Sequence, residues 1–251
     1  MIIRTHQLNV GYNGFPVVSG IDLQVRSGRI IVVLGQSGCG KTTLLKTLIG
    51  LLPPISGSVE FDGRPVDFRS EESLQRLFMR IGVLYQNGAL LNSLNLYQNI
   101  ALPITMHHPV IHQNIRAEMV TNRLRQVGLA ADMERYPAEL SGGMRKRAAL
   151  ARAMILDPEV IFCDEPSAGL DPITASGLDE LMLNLKALLG ITFVVVTHEL
   201  RSIERIADEV VVIEGGSIRF NGPYAQLQHS EDPFIKAFFL KQQADSRGMH
   251  P

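Results

Sequence analysis

Tryptophan is absent from this 251-residue chain, and cysteine occurs only at positions 39 and 163. Two cysteines cannot form a disulfide framework. Both lie in apolar or glycine-rich runs, as expected of a reduced cytosolic protein. A surplus of either charge is also lacking: 24 Lys and Arg stand against 25 Asp and Glu, a formal net charge of -1. Bulk binding of DNA or RNA needs a basic excess and is disfavoured. The longest apolar runs, such as Ile30 to Leu34 and Phe193 to Val196, fall far short of the roughly 20 residues of a membrane span. The start shows no basic-then-apolar leader, so the expectation is a protein soluble by itself that docks, at most, onto a membrane partner. What is present is ordinary for a globular chain: 45% apolar and 20% charged residues, 22 Gly and 13 Pro. This excludes a disordered, collagen-like or rod-like chain. The length suits one large domain or two modest ones.

Hydrophobic period places the elements. Ile21, Leu23 and Val25 alternate with polar residues as in a half-buried strand, and Ile30 to Leu34 reads as a strand covered on both faces. A helix is predicted from Lys41 to about Leu52, stopped by Gly50 and Pro53-Pro54. Val59 and Phe61 alternate before an Asp62-Gly63 turn, and Ile81 to Tyr85 is another short strand. From about residue 88 to 155 the pattern turns helical. Ile111, Ile115 and Met119 are spaced by four, Val120, Leu124 and Val127 by four and three, and Ala148 to Ile155 is rich in helix formers. Asp157-Pro158 ends that stretch. Strands resume at Val160 to Cys163, Thr192 to Val196 and Val210 to Ile213. Leu178, Leu181, Leu185 and Leu188 form a helical stripe behind Pro172. Alternating strands and helices indicate a mostly parallel α/β core with a helical insertion. The residues from Gln242 onward read as frayed.

Gly35-Gln36-Ser37-Gly38-Cys39-Gly40-Lys41-Thr42 fits G-x-x-x-x-G-K-[ST]. It leaves a buried strand and opens a helix, the context that gives the motif its meaning. The glycines let backbone N–H groups turn inward around a phosphate, and the helix N-terminus adds positive potential. Lys41 can reach β- and γ-phosphates, the Thr42 hydroxyl can ligate Mg²⁺, and Thr43 adjoins them as a further nucleotide contact. Val160 to Cys163 delivers Asp164, suited to hold Mg²⁺ through water, and then Glu165, the candidate general base.

Tyr12, the phosphate loop, Gln86, Leu140-Ser141-Gly142-Gly143, Asp164-Glu165, Ser167 to Asp171 and His198 follow the order seen in ATP-binding subunits of ABC transporters. The chain resembles that family to about residue 230. The resemblance implies that Tyr12 stacks on adenine. It implies that Gln86 links Mg²⁺ and water to the membrane subunit. Ser141, Gly142 and Gly143 would clamp the γ-phosphate held by an opposing subunit, Asp171 would communicate across that dimer, and His198 would contact the γ-phosphate. Read by themselves, Ser141 and Asp171 are helix caps, and a strand-end histidine is structural.

Many such subunits carry Gln-Gln-Gln-Arg after the second glycine of the signature. Here Met144-Arg145-Lys146-Arg147 follows, then Ala148 to Ala153. With Gln86-Asn87-Gly88-Ala89-Leu90, this is similar to the ATPases of MCE-type lipid transporters, the Mla phospholipid system among them. Three cations oppose the helix dipole there, which a solvated face or nearby carboxylates would explain.

The expected fold is an α/β P-loop NTPase core with an N-terminal antiparallel β subdomain and an inserted helical subdomain. Residues 1–240 would form one ABC ATPase domain, with core and β subdomain in 1–87 and 156–230 and the helical part in 88–155. A short helix and tail would fill 231–251. The resemblance implies ATP and Mg²⁺, a head-to-tail pair of copies and an integral membrane permease. It further implies a periplasmic MCE protein, a small STAS-domain subunit and a peripheral place on the cytoplasmic face of the inner membrane, with no nucleic acid partner. The permease is expected to dock around Asn87 to Pro103, an irregular stretch holding Leu90, Leu91, Leu94, Leu96 and Tyr97. Lipoprotein release or a small solute as cargo, and a soluble ATPase of DNA repair or translation, are the alternatives.

Overall fold

Strands that alternate between two apolar faces build the centre of the molecule. The computed structural model describes residues 2–237 and 239. The chain runs β1 (Ile3–Tyr12), β2 (Phe15–Ile21), β3 (Gln24–Val25), β4 (Ile30–Gly35), α1 (Lys41–Leu48), β5 (Ser56–Phe61), β6 (Arg64–Pro65), α2 (Glu71–Phe78) and β7 (Ile81–Leu84). Then come α3 (Leu96–His107), α4 (Gln113–Gln126), α5 (Gly142–Ala153), β8 (Val160–Asp164), α6 (Pro172–Leu189) and β9 (Thr192–Val196). The last elements are α7 (Leu200–Ile206), β10 (Glu209–Glu214), β11 (Ser217–Pro223) and α8 (Tyr224–Gln228), after which residues 233–237 are helical. The stretch from Gln242 read as frayed lies outside the described residues.

Six strands form one sheet in the order β11-β10-β4-β9-β8-β7. All neighbours are parallel except β11, which pairs antiparallel with β10 at the edge. Apolar runs such as Ile30 to Leu34 are continuous because both sheet faces are covered. Ile30, Val32 and Leu34 enter a core with Ile100, Leu150, Leu178 and Ile203. Ile31 and Val33 enter another with Leu44, Leu45 and Leu48 of α1. The helices α3 to α7 therefore cover one face, and α1 and the second sheet the other. That second sheet is antiparallel, ordered β2-β1-β5-β6, with β3 pairing the start of β1 on the side away from β5. Its hairpins turn at Asn13-Gly14 and Asp62-Gly63, all four with positive φ, as two-residue hairpins require. The α/β phosphate-loop architecture with a β part and a helical part is as the sequence predicts. Among the described residues no helix is long and apolar enough to cross a membrane.

Several local expectations are corrected. α1 stops at Leu48, with Gly50 at φ 82, not near Leu52. The alternating run Ile21 to Val25 is split between β2 and β3. There the Thr5 hydroxyl bonds the Ile21 carbonyl (2.7 Å) and the Leu23 amide (2.8 Å), replacing a ladder step. Of the predicted stripe, Ile111 precedes α4 and Ile115 is 55% exposed, so Val120 and Leu124 carry the buried face. In α6, Leu178 and Leu185 are buried but Leu188 is 81% exposed. Residues 87–103 are not all irregular: from Leu96 they are helix α3, and Leu96 and Ile100 are fully buried. Asn99 holds the preceding loop, donating to the carbonyls of Leu91, Leu94 and Asn95 and accepting from Leu91 N.

Candidate nucleotide site

β4, β9, β8 and β7 are consecutive neighbours in the sheet, and each ends near a residue singled out from sequence. Gly35 closes β4, His198 follows β9 by two residues, Asp164 ends β8 with Glu165 directly after it, and Gln86 follows β7 by two. Because the strands are parallel, all these positions lie at one carboxyl edge, where open α/β sheets bind ligands.

The loop at that edge is shaped by its glycines. Gly40 has φ 101, and a Cβ there would lie 2.5 Å from Val18 Cγ2 and 3.0 Å from Val17 Cγ1. Only glycine lets β2 close on the start of α1. A Cβ at Gly35 would stand 2.5 Å from both Cys39 Sγ and the Ile213 carbonyl, and Gly38 has φ 80. No side chain caps α1, so its first N–H groups face the loop, a setting that suits an anion. Gln36, Ser37 and Thr42 are exposed, Thr43 is half-buried, and Lys41 Nζ donates to the carbonyls of Gly35 (2.8 Å) and Gln36 (2.9 Å). β2 also carries the turn at which Tyr12 and Phe15 face each other across the hairpin, 46% and 77% exposed. Phe15 was not singled out from sequence. An exposed aromatic opposite another becomes visible only once the pairing is known.

At the end of β8, burial pushes the Asp164 carboxyl above its ordinary range. The neighbouring Glu165 charge adds to this, and a Thr42 hydrogen bond and Lys41 partly offset it. Glu165 has φ 47, and its N–H bonds the Val196 carbonyl at 2.8 Å. This turns its side chain to His198, whose Nδ1 is 2.8 Å from Oε1. Glu165 Oε2 is buried without a hydrogen-bond partner, an acceptor held out of water. Burial raises the Cys163 thiol to about 12, so it is inert as a nucleophile.

Ser141 caps α5, accepting from Met144 N at 3.3 Å. Asp171 caps α6, accepting from the backbone N–H groups of Ile173 and Thr174 at 3.0 Å and from the Thr174 hydroxyl, which lowers its pKa. The two caps are neighbours: Cβ atoms at Gly142 and Gly143 would meet Leu170 Cδ2 at 3.2 Å and Thr174 Cγ2 at 2.3 Å. Of the three cations that follow, Arg145 is exposed as the sequence suggests and Arg147 is half-buried, but Lys146 departs from a solvated or carboxylate-paired face. Arg145 donates to the Leu140 carbonyl. Lys146, 5% exposed, donates to the backbone carbonyls of Gln86 and Glu165. Burial lowers the Lys146 pKa, and Cys163, Glu165 and Asp164 oppose that shift. Gln86 itself is exposed.

Among the described residues, no cluster of three or more His, Cys, Asp or Glu could cage a metal. The Thr42 hydroxyl hydrogen-bonds the Asp164 carboxylate, an all-oxygen and incomplete donor pair. The pair fits a Mg²⁺ ion that keeps waters and shares substrate phosphates.

The family model described as ABC transporter matches residues 18–168. The "Probable ribonucleotide transport ATP-binding protein mkl" of Mycobacterium leprae is 36% identical over 247 residues, 98% of this chain and 71% of that protein. The "Intermembrane phospholipid transport system ATP-binding protein MlaF" of Escherichia coli K12 is 37% identical over 226 residues, 88% of this chain and 82% of that protein. Among solved structures, cbiO1 from Clostridium perfringens, part of the ABC transporter complex cbiONQ, superposes with a TM-score of 0.85 at 26% identity, covering 99% of both chains. A bacterial ABC transporter cassette solved as a dimer has a TM-score of 0.80 at 24% identity, over 88% of this chain and 98% of its own, and shares the fold. The chain belongs to the ABC transporter family, as an ATP-binding subunit that hydrolyses ATP for transport.

Proposed function

We propose that two copies of this chain pair head to tail around two ATP molecules and drive a separate membrane permease that moves phospholipid. One observation carries the pairing. The phosphate loop and α1 lie over one face of the six-stranded sheet, whereas α5, opened by Ser141 to Gly143, lies over the other. Each is a helix N-terminus suited to an anion. A copy related by a two-fold axis lets the signature of one chain meet the γ-phosphate on the loop of the other.

In this reading Tyr12 stacks on adenine with Phe15 beside it. The N–H groups of Gly35 to Thr43 cradle the phosphates, and Lys41 exchanges the Gly35 and Gln36 carbonyls for phosphate oxygens. Thr42, Gln86 and, through water, Asp164 would hold Mg²⁺, which would supply charge neutralisation on the transferring phosphoryl group. Glu165 takes the proton of the attacking water. His198 keeps Nδ1 on Glu165 and turns its other nitrogen to the γ-phosphate. Asp171, packed beside the signature, senses the opposing chain.

The cargo reading rests on the MlaF relatives and on Met144 to Arg147 after the signature. Its partners are a permease, a periplasmic MCE protein and a small STAS-domain subunit, with the ATPase on the cytoplasmic face of the inner membrane. The mkl relatives, aligned over 98% of this chain, favour a second reading, ribonucleotide transport. Purification of the complex from native membranes decides between them. Co-purifying MCE subunit and phospholipid support the first reading. A permease without either, with uptake of labelled ribonucleotide in vesicles, replaces it.

A further inference from the structure

Lys146 is the one cation of its run that is withdrawn from water, at 5% exposure. An ammonium is stable in such a place only when it is hydrogen-bonded. Its two partners are main-chain carbonyls from the ends of two different strands, Gln86 after β7 and Glu165 after β8, the latter at 3.2 Å. Farther along α5, Arg152 donates to the carbonyls of Ala89 (2.7 Å) and Gly88 (3.1 Å). Between the two cations Ala149 packs on Gly88, where a Cβ would stand 3.5 Å from the alanine methyl. α5 thus holds residues 86 to 89 along its length, and at Lys146 that grip reaches the backbone of Glu165. A cavity of about 310 Å³ lined by Gln86, Asn87, Gly142, Lys146 and Leu170 adjoins the tie.

We infer that Lys146 is a positioning residue for ATP hydrolysis: it ties the segment after β7 to the backbone of Glu165, so that a displacement of residues 86 to 89 moves the hydrolytic carboxylate. Charge-assisted bonds to carbonyls are stronger than neutral ones and direct the movement through one atom. This rests on the reading of Glu165 as general base. Lys146 bonds two main-chain carbonyls and acts through Glu165.

The test uses full-length Lys146→Met, which keeps the aliphatic shape and removes the donors. It also uses Lys146→Gln, which keeps a shorter amide donor and is the residue type common at this place in related subunits. Amide hydrogen exchange without nucleotide reads the tie directly. Protection is expected to fall in two segments together, 85–90 and 164–169, and to persist in β4 and β9. With the permease present, kcat is expected to fall about 10- to 100-fold in Lys146→Met, as for a small misplacement of a catalytic group. It should fall less in Lys146→Gln, with KM for ATP unchanged in both, and permease stimulation should fall more than the basal rate. Exchange rising in one segment only or over the whole chain, or kcat within twofold of wild type in both variants, overturns the inference. If Lys146→Met does not fold, Lys146→Gln decides by the same readings. A Glu165→Gln control that retains its rate overturns the general-base reading instead, and the exchange pattern still reports on the tie.

Discussion

Replacing Gly143 by alanine would place a methyl 2.3 Å from Thr174 Cγ2, well inside the roughly 3.5–4.0 Å of ordinary carbon contact. Thr174 is not free to turn away. Its hydroxyl and its N–H are both held by the Asp171 carboxylate, and β-branching restricts its rotamers. Relief means giving up a hydrogen bond to a charged group, at about 1.5–3 kcal/mol, or accepting an overpacked contact at about 1–3 kcal/mol. The better helix propensity of alanine returns at most about 1 kcal/mol. The net expectation is a loss of about 1–2 kcal/mol, which for a chain of this size lowers Tm by about 2–8 °C. Thr174→Ser removes the clashing methyl and keeps the hydroxyl on Asp171. The double variant should therefore recover most of the loss, with a coupling energy of about 0.5–3 kcal/mol. Thermal unfolding of the four proteins measures the cycle. A Gly143→Ala protein that melts with wild type, or losses that simply add, would refute the packing of the signature turn against the α6 cap.

Glu165→Gln should lower ATP turnover about 10²–10⁴-fold, the usual contribution of a general base, while nucleotide binding by equilibrium titration stays within a few-fold. Asp179 is 2% exposed and accepts from Ser202 and Arg205, and burial raises its pKa. A raised carboxyl pKa means that the native state binds the extra proton first. Stability then rises as pH falls from the raised native value toward the unfolded value of about 3.9. Tm of wild type should therefore gain on that of Asp179→Asn across that acidic window; a constant gap contradicts the shift. Leu91 is 45% exposed in the loop held by Asn99, so Leu91→Glu should weaken co-purification with the permease and leave ATP binding by the isolated subunit intact. Unchanged assembly removes that loop from the docking surface.

The sequence makes legible what is local in the chain. The phosphate loop is readable because its backbone needs glycine at Gly35, Gly38 and Gly40, and a spacing forced by φ survives in the letters. The strands β4, β8 and β9 are readable because burial on both faces leaves continuous apolar runs in them, Ile30 to Leu34, Val160 to Cys163 and Phe193 to Val196. Asp62-Gly63 declares its hairpin. Other features depend on partners distant in sequence. The donors of Lys146 reach carbonyls 60 and 19 residues away, so the cation run after the signature reads as surface. The Leu96 side chain looks like part of a docking patch until α3 is seen to bury it. Helix α2 carries its own signals, a Ser70 cap that accepts from Ser73 N and Glu71 and Glu72 in the first turn, but its apolar content is too low to announce it. The caps Ser141 and Asp171 show the opposite limit: in one chain their local geometry is that of ordinary helix starts, and a role across a dimer has no local signature.

The central claim is that each hydrolytic site is shared between two copies, the phosphate loop from one and Ser141 to Gly143 from the other. It is tested most directly by the molar mass of the Glu165→Gln protein in light scattering, with and without Mg·ATP, alone and combined with Ser141→Arg. The account predicts that Mg·ATP converts Glu165→Gln from monomer to a dimer holding two ATP molecules. In the combined variant an arginine side chain at the helix start should block that dimer, while each monomer still binds ATP. A dimer that forms equally well with Ser141→Arg, or a wild-type monomer that hydrolyses ATP at the full rate, would contradict it.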